Sequence, residues 1–182
     1  MQASRTHARG HIDRIGIVET RLSVTQSALQ HLRGTAERLQ YRQILDETVN
    51  TGSFGTLQRQ SATAGIAQVL STLNSAVDGR YLFAGQAVDT PPMIQDNTML
   101  DEVETVVATH VAAAGGRIDT TAQVDALLAE ITSMFDDSHA NPALHFSGQL
   151  YQGAADATAD LSFDDGTGRA ITYGAKASEG GV

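Results

Sequence analysis

Leu70-Ser71-Thr72-Leu73-Asn74-Ser75-Ala76-Val77-Asp78-Gly79-Arg80-Tyr81-Leu82-Phe83-Ala84-Gly85-Gln86-Ala87-Val88-Asp89-Thr90-Pro91-Pro92 is the stretch on which the fold turns. Leu70, Leu73 and Val77 keep helical spacing, so a helix is expected to run to about Val77. Asp78-Gly79 is a stop signal, with Gly79 placed for a left-handed C-cap. Tyr81-Leu82-Phe83 is a short run with strand character. Alternation along it puts Tyr81 and Phe83 on one face and Leu82 on the other, with Phe83 expected against the end of the preceding helix. Gly85 turns the chain, and Pro91-Pro92 excludes helix beyond it.

Upstream, from about Ile12, the apolar residues fall into a heptad seam. Ile15, Leu22, Leu29 and Ala36 take the a positions, and Val18, Thr25, Leu32 and Leu39 the d positions. Only Thr25 among these is polar, which is the pattern of a coiled coil. Gln43 and Asp46 interrupt the seam and Ile44, Leu45 and Val49 carry it around the helix, as a stutter does. A helix of roughly 40 residues is ~60 Å long and cannot bury its stripe alone. Asn50-Thr51-Gly52-Ser53 breaks it, and Ser53 is placed to cap a second helix over 54–77. Ala62, Ile66, Leu70, Leu73 and Val77 form the expected inner stripe of that helix. The short break allows an antiparallel return or a kinked continuation.

Downstream, Leu100, Val103, Val107 and Val111 predict a helix over 99–114, ended by Gly115-Gly116. Thr120 or Thr121 caps another, over 122–135, with Val124, Leu127, Leu128, Ile131 and Phe135 expected to face inward. Gln149 to Gln152 is a weak strand signal. Leu161 and Phe163, then Ile171 and Tyr173, alternate with polar residues around the turn-rich loop 164–168, which predicts a hairpin.

Charge is unevenly spread. Of the chain's 182 residues and net charge of -9, residues 1–50 carry seven Arg against five acids, and residues 51–182 carry five bases against sixteen acids. The distal part therefore repels nucleic acid and anionic lipid. Cysteine is absent, which excludes disulfides and thiolate metal sites. No run of ~18 apolar residues spans a membrane. The first ten residues lack the apolar stretch of a cleaved secretory signal.

Sites of chemistry are sparse. His7 and His11 have the i, i+4 spacing of a helical metal pair, but no Glu between them serves as a base. Asp156, Asp160, Asp164 and Asp165 do not have the spacing of a calcium loop. No phosphate-binding glycine loop, Walker sequence or nucleophile elbow occurs. Neighbouring carboxylates such as Asp101-Glu102 and Asp136-Asp137 do not share a helix face. The expectation is a non-enzyme with no cofactor and no metal.

The order of long heptad helix, short break, second helix, Leu73-Asn74-Ser75-Ala76-Val77-Asp78-Gly79-Arg80-Tyr81-Leu82-Phe83-Ala84-Gly85 and Asp89-Thr90-Pro91-Pro92 resembles the bacterial flagellin family. The likeness is greatest to its hook-associated protein 3 branch, which joins hook to filament. Tyr151-Gln152-Gly153 and Tyr173 to Ala177 also look like that family's outer-domain segments. The resemblance implies a mainly α fold. Residues 1–85 would form a long antiparallel helical hairpin or coiled-coil rod, and residues 86–182 a smaller acidic outer α+β domain. It implies a structural subunit of the flagellum outside the cell, exported without a cleaved signal peptide. Its partners would be copies of itself, hook-associated proteins and flagellin, with an export chaperone for the full-length protein. The family's inner-wall segment and its returning C-terminal helix have no counterpart in the sequence, so the chain reads as an internal fragment. Ile15, Val18, Leu22, Leu29, Leu32 and Leu39 are the expected packing residues. Leu73, Asn74, Gly79, Arg80, Tyr81, Leu82, Phe83 and Gly85 are the expected junction. A filament flagellin is the near alternative. A helical sensor or adaptor holding a small ligand in its bundle is the reading from another class, and a polar pocket in the bundle would favour it.

Overall fold

The structure is a computed structural model that describes residues 2–46, 54–95, 98–164 and 168–178. It is mainly α, with five α-helices and two two-stranded sheets among the described residues. The elements are α1 (Gln2–Asp46), α2 (Phe54–Leu73), β1 (Ala76–Val77), β2 (Arg80–Tyr81), α3 (Thr98–Ala113), α4 (Thr121–Phe135), α5 (Phe146–Gln149), β3 (Leu161–Asp164) and β4 (Ala170–Tyr173). They form two compact units, Met1–Met93 with Gly153–Val182, and Ile94–Gln152. This division differs from one at residue 85, because backbone hydrogen bonds tie 153–178 back to the segment around Phe83.

In the first unit α1 and α2 run antiparallel. Leu39 lies against Gly65, the Gln68 amide donates to the His31 ring at 2.9 Å, and Arg21 donates to the Tyr81 carbonyl at 3.2 Å. Going back along α1 from Leu39 to His31 to Arg21, the partners run forward from Gly65 to Gln68 to Tyr81. The heptad phase differs from the expected one. The buried line of α1 is Arg21, Ala28 and Thr35, joined by half-buried Val18, Thr25, Leu32 and Leu39. The d positions therefore lie on the covered side, but the neighbouring g positions replace the a positions, and Ile15, Leu22 and Ala36 are exposed.

Small residues make this possible. A Cβ on Gly65 would lie 2.8 Å from Leu39 Cδ1, so the helices approach through the space that glycine leaves. The buried Thr35 and Thr72 hydroxyls donate to the carbonyls of His31 and Gln68 in their own helices, so neither leaves an unpaired hydroxyl in the interior. On α2 the line Ser61, Gly65, Val69 and Thr72 is turned inward, while Ala62 and Ile66 of the expected stripe are exposed. The expected Ser53 cap and the helix break lie outside the described residues.

Helix α2 stops at Leu73, earlier than the apolar spacing predicts. Asp78 and Gly79 have φ of 51° and 74°, which is the two-residue turn that matches strand twist in a hairpin. Gly79 therefore turns the β1–β2 hairpin, in which Ala76 faces Tyr81 and Val77 faces Arg80, and does not cap the helix. The predicted β3–β4 hairpin is present, with Leu161 opposite Tyr173 and Phe163 opposite Ile171.

In the second unit α3 and α4 pack together. Gly115 and Gly116, both at positive φ, close α3 through a bond from the Gly116 amide to the Val111 carbonyl. Thr120 caps α4 in a reciprocal capping box with Gln123. Met99, Val106 and Met134 are buried. Val124, Leu128 and Phe135 are exposed, contrary to the inward stripe expected for α4: His110 of α3 meets α4 at Glu130, one turn from the buried Met134, and the Phe135 ring reaches only that of Phe146 among the described residues. The segment 149–152 is not a strand. Gln149 ends α5, and the Leu150 and Tyr151 amides bond back to the Phe146 carbonyl.

Candidate functional site

The junction is the most interlocked part of the first unit, and its hydrogen bonds start at Asn74. The Asn74 side-chain amide donates to the Met93 carbonyl and its oxygen accepts from the Met93 amide, both at 2.8 Å. One side chain thus acts as a strand neighbour to the backbone beyond Pro91-Pro92. The Leu82 amide bonds to the Ser75 carbonyl, and the Tyr81 amide to the Val88 carbonyl. Arg21 reaches from α1 to the Tyr81 carbonyl, so a buried guanidinium joins the long helix to the hairpin.

Leu82, Phe83 and Ala84 are buried in succession, so the run does not alternate and only Arg80–Tyr81 is strand. Polypeptide covers it from both sides. The Ala154 amide donates to the Ala84 carbonyl, the Ala177 amide to the Phe83 carbonyl and the Gly85 amide to the Ala175 carbonyl. Gly85 has φ of 59°, and a Cβ there would lie 3.1 Å from both Ala154 and Lys176 side-chain carbons. The single lysine of the chain, Lys176, is buried over this turn. It pairs with Asp160 at 2.9 Å and donates to the Asp156 carbonyl at 3.2 Å.

Of the expected junction residues, Leu73, Asn74, Tyr81, Leu82, Phe83 and Gly85 come together here, whereas the Arg80 and Gly79 residues are exposed on the hairpin. The expected packing residues divide. Val18, Leu29, Leu32 and Leu39 are half-buried, whereas Ile15 and Leu22 are 36% and 47% exposed. With exposed Ile12 they lie within about 80° of helix arc, on one side of α1.

The residues weighed for metal have other roles. His11 stacks on Phe163, with ring centroids 5.5 Å apart, and the His7 side chain lies outside the described residues. Asp160 holds Lys176, Asp156 accepts from the Ser178 hydroxyl, and Asp165 is outside the described residues. Among the described residues no group of three or more His, Cys, Asp or Glu is placed to hold a metal.

Three features escape sequence reading. The Arg21 contact and the Asn74 clamp depend on partners 60 and 19 residues away. In the second unit the Glu130 carboxylate sits between His110 Nε2 at 2.7 Å and His139 Nε2 at 3.7 Å. The hydrogen bond from His110 holds Glu130 below the usual carboxylate range, against the opposing effect of burial. Asn74 was expected at the junction without its partner, and Lys176 stood out as the one lysine in the composition.

An open groove of about 680 Å³ lies between α1 and α2, lined by residues including Thr35, Arg38, Ser61 and Gln68. Its charged groups are engaged within the chain. Arg38 bonds to Gly34 and Thr35, and Glu37 pairs with Arg33. No helix among the described residues is long and apolar enough to cross a membrane. Compared with protein-family models, with curated proteins and with solved structures, the chain has no match.

Proposed function

We propose that this chain is a structural subunit of the bacterial flagellum, of the hook–filament junction type, working outside the cell. Helices α1 and α2 are its packing rod, and copies associate side by side along α1. Hook-associated proteins and flagellin are its other partners, and its route out of the cell uses no cleaved signal peptide. The observation that carries this reading is the outer line of α1. An about 67 Å helix pairs with α2 through small residues and leaves Ile12, Ile15 and Leu22 exposed. Those three residues span about 15 Å of the helix, with exposed Glu19 among them, and exposed apolar side chains grouped on one side of a helix favour a contact. The junction that seals residues 73–93 supports the reading from the other side, since it is the segment that bears the family resemblance. A filament flagellin remains the neighbouring assignment on the same observations. The sensor or adaptor reading has the α1–α2 groove in its favour, but the groove is open and its charged groups already have partners.

Deleting the gene in its source bacterium tests the function, and hooks bearing no filaments are expected. A deletion strain with full-length filaments and normal swimming refutes it. Sedimentation equilibrium tests the surface. The chain should associate with rising concentration, and Leu22→Glu with Leu29→Glu should abolish this by placing charge in the contact.

A further inference from the structure

Helix α4 carries an apolar line whose spacing is that of a helix-packing seam. Val124, Leu128 and Phe135 are 43%, 56% and 49% exposed, and Ile131 between them is half-buried. Their intervals alternate as the a and d positions of a coiled coil do. At about 100° per residue the four fall within a ~60° arc, along ~16 Å of helix. No other residue of α4 falls in that arc, so no charge interrupts it. On one side the neighbouring g positions are half-buried Leu127 and buried Met134, so the unit itself closes that side. The other side is open. Contiguous exposed apolar side chains rimmed by polar ones mark contact sites.

The open side decides what kind of helix fits. It carries Asp125 and Thr132 at the e positions, both exposed, with exposed Asp136 at the C-terminal end. In a helix pair the charges at e and g select the partner. Residues 94–152 hold nine carboxylates against Arg117 alone, and Arg117 pairs with Asp119 at 3.5 Å. Two copies of this unit therefore repel each other, and an anionic lipid surface is repelled as well. The start of α1 in a second copy offers no net opposite charge, since the exposed charges described there are Arg9 and Arg14 against Asp13 and Glu19. The occupant that fits is a helix of a different protein, apolar on one face and basic beside it.

We infer that the α4 line is the docking site for a basic amphipathic helix of a partner protein. Its apolar side chains lie against Val124, Leu128, Ile131 and Phe135, and its Lys or Arg residues face Asp125. The acidic surround speeds encounter, and the apolar seam sets how long the helix stays. The site lies in the other unit from the α1 surface and takes a different occupant, so it stands apart from the self-assembly reading.

The experiment titrates the full chain into a fluorescein-labelled peptide of about four helical turns and reads anisotropy. The peptide carries Leu at the intervals of the α4 line and Arg beside them, and a cross-link on its outer face holds it helical, because a free peptide of this length is marginal in water. Two control peptides replace every Arg by Glu, or every Leu by Gln. The Arg–Leu peptide should bind saturably, and each control ~10-fold more weakly or worse. Added salt should weaken binding. Val124→Gln with Leu128→Gln should weaken it ~10-fold or more by removing apolar contact area. Glutamine is a good helix former, so unchanged far-ultraviolet dichroism is expected and serves as the check on folding. Asp125→Lys should weaken the Arg–Leu peptide about 2–5-fold and strengthen the Glu peptide. Ile17→Gln, at an exposed position of the other unit, should leave binding unchanged.

Absence of saturable binding of the Arg–Leu peptide up to about 1 mM overturns the docking. Binding that Val124→Gln with Leu128→Gln leaves unchanged is general attraction to an acidic chain and also overturns it. Equal binding of the Glu peptide overturns the basic character of the occupant. If the double variant loses its helical signal, Leu128→Gln alone, at the most exposed position of the line, replaces it beside Asp125→Lys. Unchanged binding in both then overturns the docking. Sedimentation of the unmodified chain separates the two readings. A monomeric chain that binds the peptide at α4 keeps the docking and overturns self-assembly, and an associating chain that does not bind it does the reverse.

Discussion

Replacing Asn74 by Ala removes two hydrogen bonds at once and leaves both polar groups of the Met93 backbone without that partner. Each lost bond is worth about 0.5–1.5 kcal/mol net when its groups can be resolvated. Met93 is buried, 2% exposed, so water reaches those groups poorly and the desolvation of the abandoned amide and carbonyl dominates. The expected loss is about 2–4 kcal/mol for the first unit. With a urea slope of roughly 2 kcal/mol per molar, the midpoint should fall by about 1–2 M. Far-ultraviolet dichroism follows the transition well, because α1 and α2 hold much of the helix. Hydrogen exchange at the Met93 amide adds a local readout, and its protection should fall by more than the global stability does. Asn74→Asp is the sharper variant. It keeps the acceptor for the Met93 amide but turns the donor into an oxygen facing the Met93 carbonyl, so it should be no better than alanine. If Asn74→Ala leaves the midpoint and the Met93 protection unchanged, the clamp does not hold the junction.

Phe83 is fully buried, so Phe83→Ala should cost about 3–5 kcal/mol, seen as a lower denaturation midpoint. Gly85→Ala combines a left-handed φ with crowding by Ala154 and Lys176, and should cost about 1–3 kcal/mol by the same measurement. Lys176→Met leaves the Asp160 carboxylate without its buried cation and should lower the thermal midpoint, while Lys176→Met with Asp160→Leu should recover most of the loss. Glu130 has a folded-state pKa below its unfolded value, owing first to the His110 hydrogen bond. Its contribution is therefore present above the unfolded carboxylate range and is lost as pH falls through the folded value. The difference in thermal midpoint between the unmodified chain and Glu130→Gln should shrink in acid, and a difference that grows on acidification would contradict this.

By itself the sequence determined the mainly helical class, the long first helix and the β3–β4 hairpin, because these rest on local signals. The helical periodicity of α1, the Gly115-Gly116 stop and the alternation at 161–163 and 171–173 act over a few residues, and α1, the end of α3 and the β3–β4 pairing follow them. Most of the residues singled out at 73–92 also meet in one place. What tertiary structure decided was which side of each helix is covered. A heptad offers a/d and d/g edges, and the choice fell to d and g because Gly65 and Thr72 on α2 admit close approach there. The ranking of side chains by apolar size pointed the other way and left Ile15 and Leu22 outside. On α4 the apolar spacing likewise did not decide the covered side, and Val124, Leu128 and Phe135 are exposed. The junction's closure by Ala154, Lys176 and Ala177 depends on chain some seventy to ninety residues distant from Phe83, and no local pattern encodes a hydrogen bond across that separation.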